Sequence, residues 1–279
     1  MLTLTSVVAG YGGGMVLRGV DLHCAEGTIT CVVGPNGAGK STVLRVISGL
    51  LRCGEGEITM DGEPIGDRTP DEILRRGIAQ VPQSRALFPT MSVHENVLMG
   101  GYLIRKDRAL LRERLDMVRE RVPIVAERAR DHAGNLSGGQ RRMVEIARCL
   151  MLDPKIILLD EPSLGLDPQS LAGVAGLIGD LHRSGTTVLL VEQNVRLGLG
   201  LATHGVVMEG GKVRMAGPAA SIRDDPEIAA LYLGGAPGTA PPPLPGGTAA
   251  PSDSQKGGAW TIGSRRPSHT GDRASPPMG

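Results

Sequence analysis

Gly34-Pro35-Asn36-Gly37-Ala38-Gly39-Lys40-Ser41-Thr42 decides how the rest of the chain reads. A short apolar run, Thr30 to Val33, precedes it, and a helix-forming run begins near Lys40. Between a strand and a helix, the spacing Gly-x4-Gly-Lys-Ser lets successive backbone N–H groups turn inward around a polyphosphate, because glycine has no Cβ to block the approach. Lys40 then reaches the β- and γ-phosphates and Ser41 holds Mg²⁺, while the positive helix N-terminus adds to the attraction. The stretch predicts a nucleotide site.

Composition sets the frame for that site. The chain has 279 residues, 41% of them hydrophobic, enough for a sizeable core in one large domain or two small ones. No apolar run approaches the roughly 18 residues that span a bilayer, and Met1 to Leu4 lack the basic opening of a signal peptide, so an intracellular protein is expected, with any membrane link supplied by a partner. Cys24, Cys31, Cys53 and Cys149 form no Cys-x-x-Cys pair and read as small buried side chains of a reducing compartment. A net charge of +1 lacks the basic excess of a general nucleic-acid surface.

Leu2 to Val8 and Met15 to Leu22 read as strands around the glycine-rich turn 9–14, which carries Tyr11. Tyr11 is either an exposed turn residue or a ring available to stack on a base. Glu57 to Met60 and Ile78 to Val81 continue the strands, and Pro82-Gln83 places Gln83 at a strand end, where a contact to metal or water competes with a simple surface role. From Ser84 to about Leu150 the pattern turns helical: Leu111, Leu115, Val118 and Val122 recur at helical spacing, with a charged, solvated face opposite. Within this insert, Ser137 is placed to cap the helix Arg141 to Met151, and Gly138 and Gly139 leave backbone N–H groups bare at its positive end. This is a second anion site, more than one nucleotide's phosphate tail requires.

Ile156 to Leu159 is apolar throughout, predicting a strand at the centre of a parallel sheet with Asp160 and Glu161 at its carboxyl end, where open α/β sheets place ligands. Adjacent carboxylates beside a buried strand carry a desolvation cost unless a cation or proton uses them, so Asp160 is assigned to the Mg²⁺ shell and Glu161 to the attacking water. Asp167 and Pro168 start the next helix, whose apolar stripe is Leu171, Val174, Ala175, Ile178 and Leu181. Gly173, Gly176 and Gly179 weaken that helix by about 1 kcal/mol each, an expense that close packing can offset. A strand from Thr186 ends at Glu192-Gln193-Asn194, and a terminal hairpin follows. Residues 236–279 hold nine of the 20 prolines and eight glycines with few large aliphatics, so this segment is predicted to be a disordered tail, Trp260 included.

Taken together, residues 1 to about 235 resemble the ATP-binding subunits of ABC transporters: Gly34 to Thr42 match the Walker A loop, Leu136 to Gln140 the LSGGQ signature, and Ile156 to Glu161 Walker B, in the family's order. The resemblance implies an α/β fold, the P-loop NTPase ABC cassette, with a mixed RecA-like core sheet, an antiparallel β subdomain and an α-helical signature subdomain inserted at about 84–150. It makes ATP and Mg²⁺ the cofactors, Tyr11 the adenine-stacking residue, Gln83 the Q-loop residue that touches Mg²⁺ and couples to the membrane subunits, and Asp167 the D-loop aspartate. It also explains the second anion site: two cassettes pair head to tail, as a heterodimer or homodimer, and Ser137, Gly138, Gly139 and Gln140 face the nucleotide held by the opposite subunit.

Val81-Pro82-Gln83, Leu87-Phe88-Pro89, Val93 to Asn96, Val191 to Asn194 and Leu231 to Gly234 narrow the resemblance to the second ATP-binding subunit of branched-chain amino acid importers and their amide and urea relatives. That group implies two membrane permeases, an extracytoplasmic substrate-binding protein, no nucleic acid, and a place at the cytoplasmic face of the cell membrane. Gln193 stands where most ABC ATPases carry a switch histidine, a substitution usual in this subgroup; it can hydrogen-bond a phosphate or water but cannot become cationic near neutral pH. A soluble ABC ATPase acting on ribosomes or DNA, an exporter subunit and a metabolic P-loop kinase are the rival readings. The first lacks its usual second cassette, coiled coil or basic surface, and the last leaves Leu136 to Gln140 without a purpose.

Overall fold

The computed structural model describes residues 1–84 and 86–228; the predicted tail, Trp260 and the Leu231 to Gly234 match lie outside the described residues. Among the described residues, ten strands form two sheets. The first is antiparallel, in the order β2-β1-β4-β5, from β1 (Leu2–Tyr11), β2 (Gly14–Cys24), β4 (Glu55–Met60) and β5 (Glu63–Pro64). Its strands alternate buried and exposed positions, as expected where only one face is covered. The second sheet runs β10-β9-β3-β8-β7-β6, from β3 (Ile29–Val33), β6 (Ile78–Val81), β7 (Ile156–Asp160), β8 (Thr187–Glu192), β9 (His204–Glu209) and β10 (Lys212–Pro218). All its pairings are parallel except β9 with β10, so the sheet is mixed as expected.

The continuous apolar runs of β3 and β7 have a direct cause: each strand feeds two cores. Cys31, Val33, Ile157 and Leu159 pack on the side of the inserted helices, whereas Val32, Ile156 and Leu158 pack toward α1 (Lys40–Ile47) and the antiparallel sheet. β7 is nevertheless not central. It lies one strand in from the β6 edge, and its full burial comes from covering layers on both faces rather than from a middle position.

The remaining helices are α2 (Pro70–Arg75), α3 (Val93–Gly100), α4 (Arg108–Arg121), α5 (Ile124–Glu127), α6 (Gly138–Leu150), α7 (Pro168–Arg183), α8 (Val195–Leu201) and α9 (Ala219–Arg223). None is long and apolar enough to cross a membrane. Thr69 and Ser92 close capping boxes with Glu72 and Glu95, which start α2 and α3 at defined residues. In α4, Leu115 and Val118 are buried with the following Val122, and the opposite face is charged and ion-paired, Arg114 to Asp153 at 2.7 Å for example.

Two expectations for α7 change. Its buried residues are Val174, Leu177, Ile178 and Leu181, with Leu171 and Ala175 only partly covered. Close packing does not account for its glycines: a Cβ on Gly173 would meet the mobile end of Met143 at 3.0 Å, and one on Gly176 would meet open space. Of the four cysteines, Cys24 and Cys31 are buried, but Cys53 and Cys149 are only partly covered.

Candidate nucleotide site

The C-terminal ends of β3, β8 and β7 lie in register, with Val33 opposite Glu192 and Val191 opposite Asp160, and the candidate residues gather where these strands stop. After β3 the chain enters the glycine loop. Gly34 has φ 153°, and a Cβ there would stand 2.1 Å from the Met208 carbonyl of β9, so only glycine fits between the loop and the sheet. Gly39, at φ 101°, is the N-cap of α1 and supplies no side-chain acceptor, which leaves the first N–H groups of α1 turned to the loop. Pro35, Asn36 and Gly37 form the exposed rim; Ala38, Gly39, Lys40 and Thr42 are buried. The loop is braced from the β9–β10 turn, where Gly211 N–H donates to the Ala38 carbonyl at 3.1 Å.

Lys40 Nζ donates to the Gly34 and Pro35 carbonyls at 2.9 and 3.1 Å, which holds a buried ammonium in the mouth of the loop. It also stands 3.9 Å from Glu161 Oε1. Gln83 Nε2 donates to Glu161 Oε2 at 2.7 Å, so the strand-end glutamine and the acid after β7 meet as a pair. Ser41 Oγ donates to Asp160 Oδ1 at 2.8 Å. Burial pushes the Asp160 carboxyl above its ordinary range, opposed by that hydrogen bond and reinforced by the charge of Glu161. A serine hydroxyl beside a carboxylate is a pair of hard oxygen donors that suits Mg²⁺, and the arrangement fits that ion. No cluster of three or more His, Cys, Asp or Glu side chains able to hold a metal occurs among the described residues.

Glu161 is only 6% exposed and sits at φ 45°, an uncommon backbone region for a residue with a side chain, at a cost of about 1 kcal/mol or more. A cleft of about 270 Å³ opens beside it, lined by Ser163, Leu164, Glu192, Gln193 and Asn194, so the exposed Gln193 shares a space with Glu161. Tyr11 is the last residue of β1 and is 44% exposed. Its hydroxyl accepts from Arg45 of α1 at 3.2 Å, and the guanidinium lies 5.9 Å from the ring centroid.

Ser137, Gly138, Gly139 and Gln140 do not join this cluster. Ser137 and Gln140 form a capping box, with Gln140 N–H donating to Ser137 Oγ at 3.2 Å and Ser137 N–H donating to Gln140 Oε1 at 3.0 Å. Gly139 is buried rather than bare: a Cβ there would meet that of Ser170 at 2.4 Å, so its glycine allows the start of α7 to pack against α6. Gly138 remains exposed. Asp167 caps α7, accepting from Gln169 N–H and Ser170 N–H, and from Ser170 Oγ at 2.6 Å.

Sequence reasoning missed the residues that hold Gln83. Arg142 and Glu145 of α6 are 8% and 4% exposed and pair at 2.9 Å. Arg142 also donates to the Pro82 and Gln83 carbonyls, and Glu145 accepts from Ala86 N–H at 3.0 Å. One signal was available: Arg142 lies four residues before Ile146, which places a charge inside an apolar helical stripe.

A glycine loop with a buried lysine, a serine–aspartate pair and a strand-end glutamate contacted by a glutamine are the working parts of a P-loop ATPase. Comparison with known proteins then fixes the family. The profile described as "ABC transporter" matches residues 17–164, and the chain belongs to that family as one of its ATP-binding, ATP-hydrolysing cassettes. It is 39% identical over 235 residues to the high-affinity branched-chain amino acid transport ATP-binding protein BraG of Pseudomonas aeruginosa, covering 84% of this chain and 100% of that one. It is also 37% identical over 235 residues to the lipopolysaccharide export system ATP-binding protein LptB of Haemophilus influenzae, covering 84% and 97%. The fold is likewise that of the ATP-binding cassette MJ0796, solved as a dimer in a post-hydrolysis state bound to ADP and phosphate, with a TM-score of 0.68, 29% identity, and 78% of this chain and 99% of that one covered.

Proposed function

We propose that this chain energises an importer for branched-chain amino acids or closely related amino acids, amides or urea. The observation that carries the mechanism is the junction at Glu161, where one buried carboxylate meets Gln83 Nε2 on one oxygen and faces Lys40 Nζ across 3.9 Å on the other. Glu161 orients or deprotonates the in-line water, and Lys40, already a buried donor in the loop mouth, takes the β- and γ-phosphate oxygens. The glycines of Gly34 to Gly39 present the backbone cradle, with Pro35, Asn36 and Ala38 forming its wall, while Tyr11 stacks on adenine. Ser41, Asp160 and Gln83 hold Mg²⁺, which supplies charge neutralisation at the phosphates when bound. Gln193 directs its amide to the γ-phosphate from across the shared cleft.

Residues 1–235 constitute the cassette, with the helical insert of 84–150 as the part that engages the permeases. Ser137, Gly138 and Gly139 serve the nucleotide on a second cassette, with Gln140 closing their cap and Asp167 holding the neighbouring turn. That the MJ0796 cassette was solved as a dimer supports a reading in which two cassettes pair. The chain then works at the cytoplasmic face of the membrane beside two permeases, a second ATPase or a copy of itself, and an extracytoplasmic binding protein.

Two observations favour the amino acid substrate: the similarity to BraG and the glutamine at position 193. A second reading, service to a lipopolysaccharide exporter, is favoured by the similarity to LptB over an equal share of the chain. Purification of Glu161→Gln from its native membranes in mild detergent with ATP separates them. The importer reading expects two polytopic permeases and a second ATPase in the complex. Recovery of lipopolysaccharide export components supports the second reading, and recovery of ribosomal or DNA-associated proteins without permeases overturns both.

A further inference from the structure

Glu192, the last residue of β8, is 1% exposed, and the mechanism above gives it no task. Its carboxylate makes a two-point contact with a single residue: Oε1 accepts from Ser163 N–H at 3.0 Å and Oε2 from Ser163 Oγ at 2.8 Å. One position earlier, the Val191 carbonyl accepts from Glu161 N–H at 3.0 Å. Two consecutive residues at the end of β8 therefore hold the segment 161–163 at both ends, and between those holds lies the left-handed backbone of Glu161. A side chain at φ 45° stays there only when its surroundings over-determine it.

We infer that Glu192 is a positioning residue: its carboxylate clamps Ser163 and so aims Glu161 at Gln83, at Lys40 and at the water that Glu161 serves. The inference rests on the proposed role of Glu161. Burial pushes the Glu192 carboxyl up, opposed by the hydrogen bonds from Ser163 and from the Asn194 backbone, with the charge of Glu161 adding to the rise. An acid kept at that position against desolvation is a poor choice for filling space, because an apolar side chain of similar volume would pack there at lower cost. It is a good choice for geometry. A two-atom acceptor meets the two donors of one serine, and a carboxamide can do the same, its oxygen accepting from Ser163 N–H and its NH₂ donating to the hydroxyl.

The variants follow from that chemistry. Glu192→Met keeps the volume and removes the clamp; Glu192→Gln keeps the clamp and removes the charge. Steady-state ATP hydrolysis, nucleotide affinity and thermal midpoint are measured for both, beside wild type and Glu161→Gln. The expected result is that Glu192→Met lowers kcat about 10- to 100-fold, the cost of a catalytic group set off line, while ATP affinity stays within about twofold and the protein stays folded at the assay temperature. Glu192→Gln restores most of kcat, and Ser163→Ala added to Glu192→Met costs nothing further. Wild-type kcat in Glu192→Met, or a Glu192→Gln variant as slow as Glu192→Met, overturns the inference, the second because charge and not geometry would then be at work. If Glu192→Met loses its fold, Ser163→Ala alone decides by its kcat, since it removes one arm of the clamp at a partly covered site. The reading of Glu161 fails separately, if Glu161→Gln turns over ATP like wild type.

Discussion

Gln83 and Glu161, 78 residues apart, meet through a 2.7 Å hydrogen bond from Nε2 to Oε2, and this contact ties the segment leading into the helical insert to the acid at the end of β7. One oxygen of Glu161 is thereby occupied, and the other faces Lys40 and the loop mouth. That second oxygen takes no hydrogen bond from Gln83, and it is the one that the proposed reading gives to the attacking water.

Replacing that oxygen tests the assignment. Glu161→Gln should lower ATP turnover by about 10²-fold or more, the scale of a lost general base, with ATP binding retained because Lys40 and the loop are unaltered. Phosphate release and isothermal titration with ATP measure the two quantities. Turnover near wild type would remove Glu161 from the chemistry.

Much of this site was legible because its parts are local. The spacing from Gly34 to Ser41, the caps at Ser137 and Asp167, and the acids closing an apolar strand each state their geometry within a few residues. Contacts that pair distant segments were not legible. Arg142 and Glu145 are three residues apart on one helix, and although Arg142 falls in line with Ile146, nothing local says that the pair meets carbonyls and an N–H some 60 positions away. Glu192 reads as an ordinary strand-end acid until β8 is seen beside β7, and the burial of Gly139 against the start of α7 shows only once the two helices are seen together. Periodicity identifies a covered face but not the segment that covers it, and the place of β7 one strand from the edge was invisible for the same reason.

The buried Arg142–Glu145 pair should be costly to break from one side. Glu145→Ala leaves a guanidinium without its partner and Ala86 N–H without an acceptor, and should lower stability by about 3 to 5 kcal/mol in urea denaturation. Changing both together, Arg142→Met with Glu145→Leu, should recover the part of that loss due to the stranded guanidinium, while Ala86 N–H and the Pro82 and Gln83 carbonyls stay without their partners. The double variant should still hydrolyse ATP more slowly than wild type, because Arg142 no longer holds the Pro82 and Gln83 carbonyls and Gln83 loses its aim. Full activity in a stable double variant would show that Gln83 is positioned without α6.

Asp160 predicts a trade between stability and function. A carboxyl whose folded pKa is raised above the ordinary 3.8 contributes stability that is complete below that value and is lost as pH rises through the folded pKa. Near pH 7.5 the ionised group is therefore held at a cost in the nucleotide-free protein. Asp160→Asn should raise the thermal midpoint there, and the difference should shrink as pH falls toward about 4. The Ser41 hydroxyl can still donate to the asparagine oxygen, so the contact at 2.8 Å survives. Stabilisation by Mg²⁺ with ATP, measured in the same melts, should be lost. An unchanged or lower midpoint at neutral pH would mean that the carboxylate carries no such cost.

Gln193 carries the last prediction, because it lies with Glu161 on one cleft but cannot change charge. If its task is to hydrogen-bond the γ-phosphate or the water, a histidine of similar reach can take it over through a ring N–H, and Gln193→His should hydrolyse ATP as fast as wild type or faster. The substitution adds a group that titrates between about pH 5 and 8, so the rate of Gln193→His relative to wild type should vary over that window, whereas Gln193→Asn, shorter and untitratable, should give a constant ratio. Steady-state rates for the three proteins across that range supply the test. A loss of about 10²-fold in Gln193→His at every pH would mean that the amide itself is required, and that this position does not correspond to the switch histidine of other cassettes.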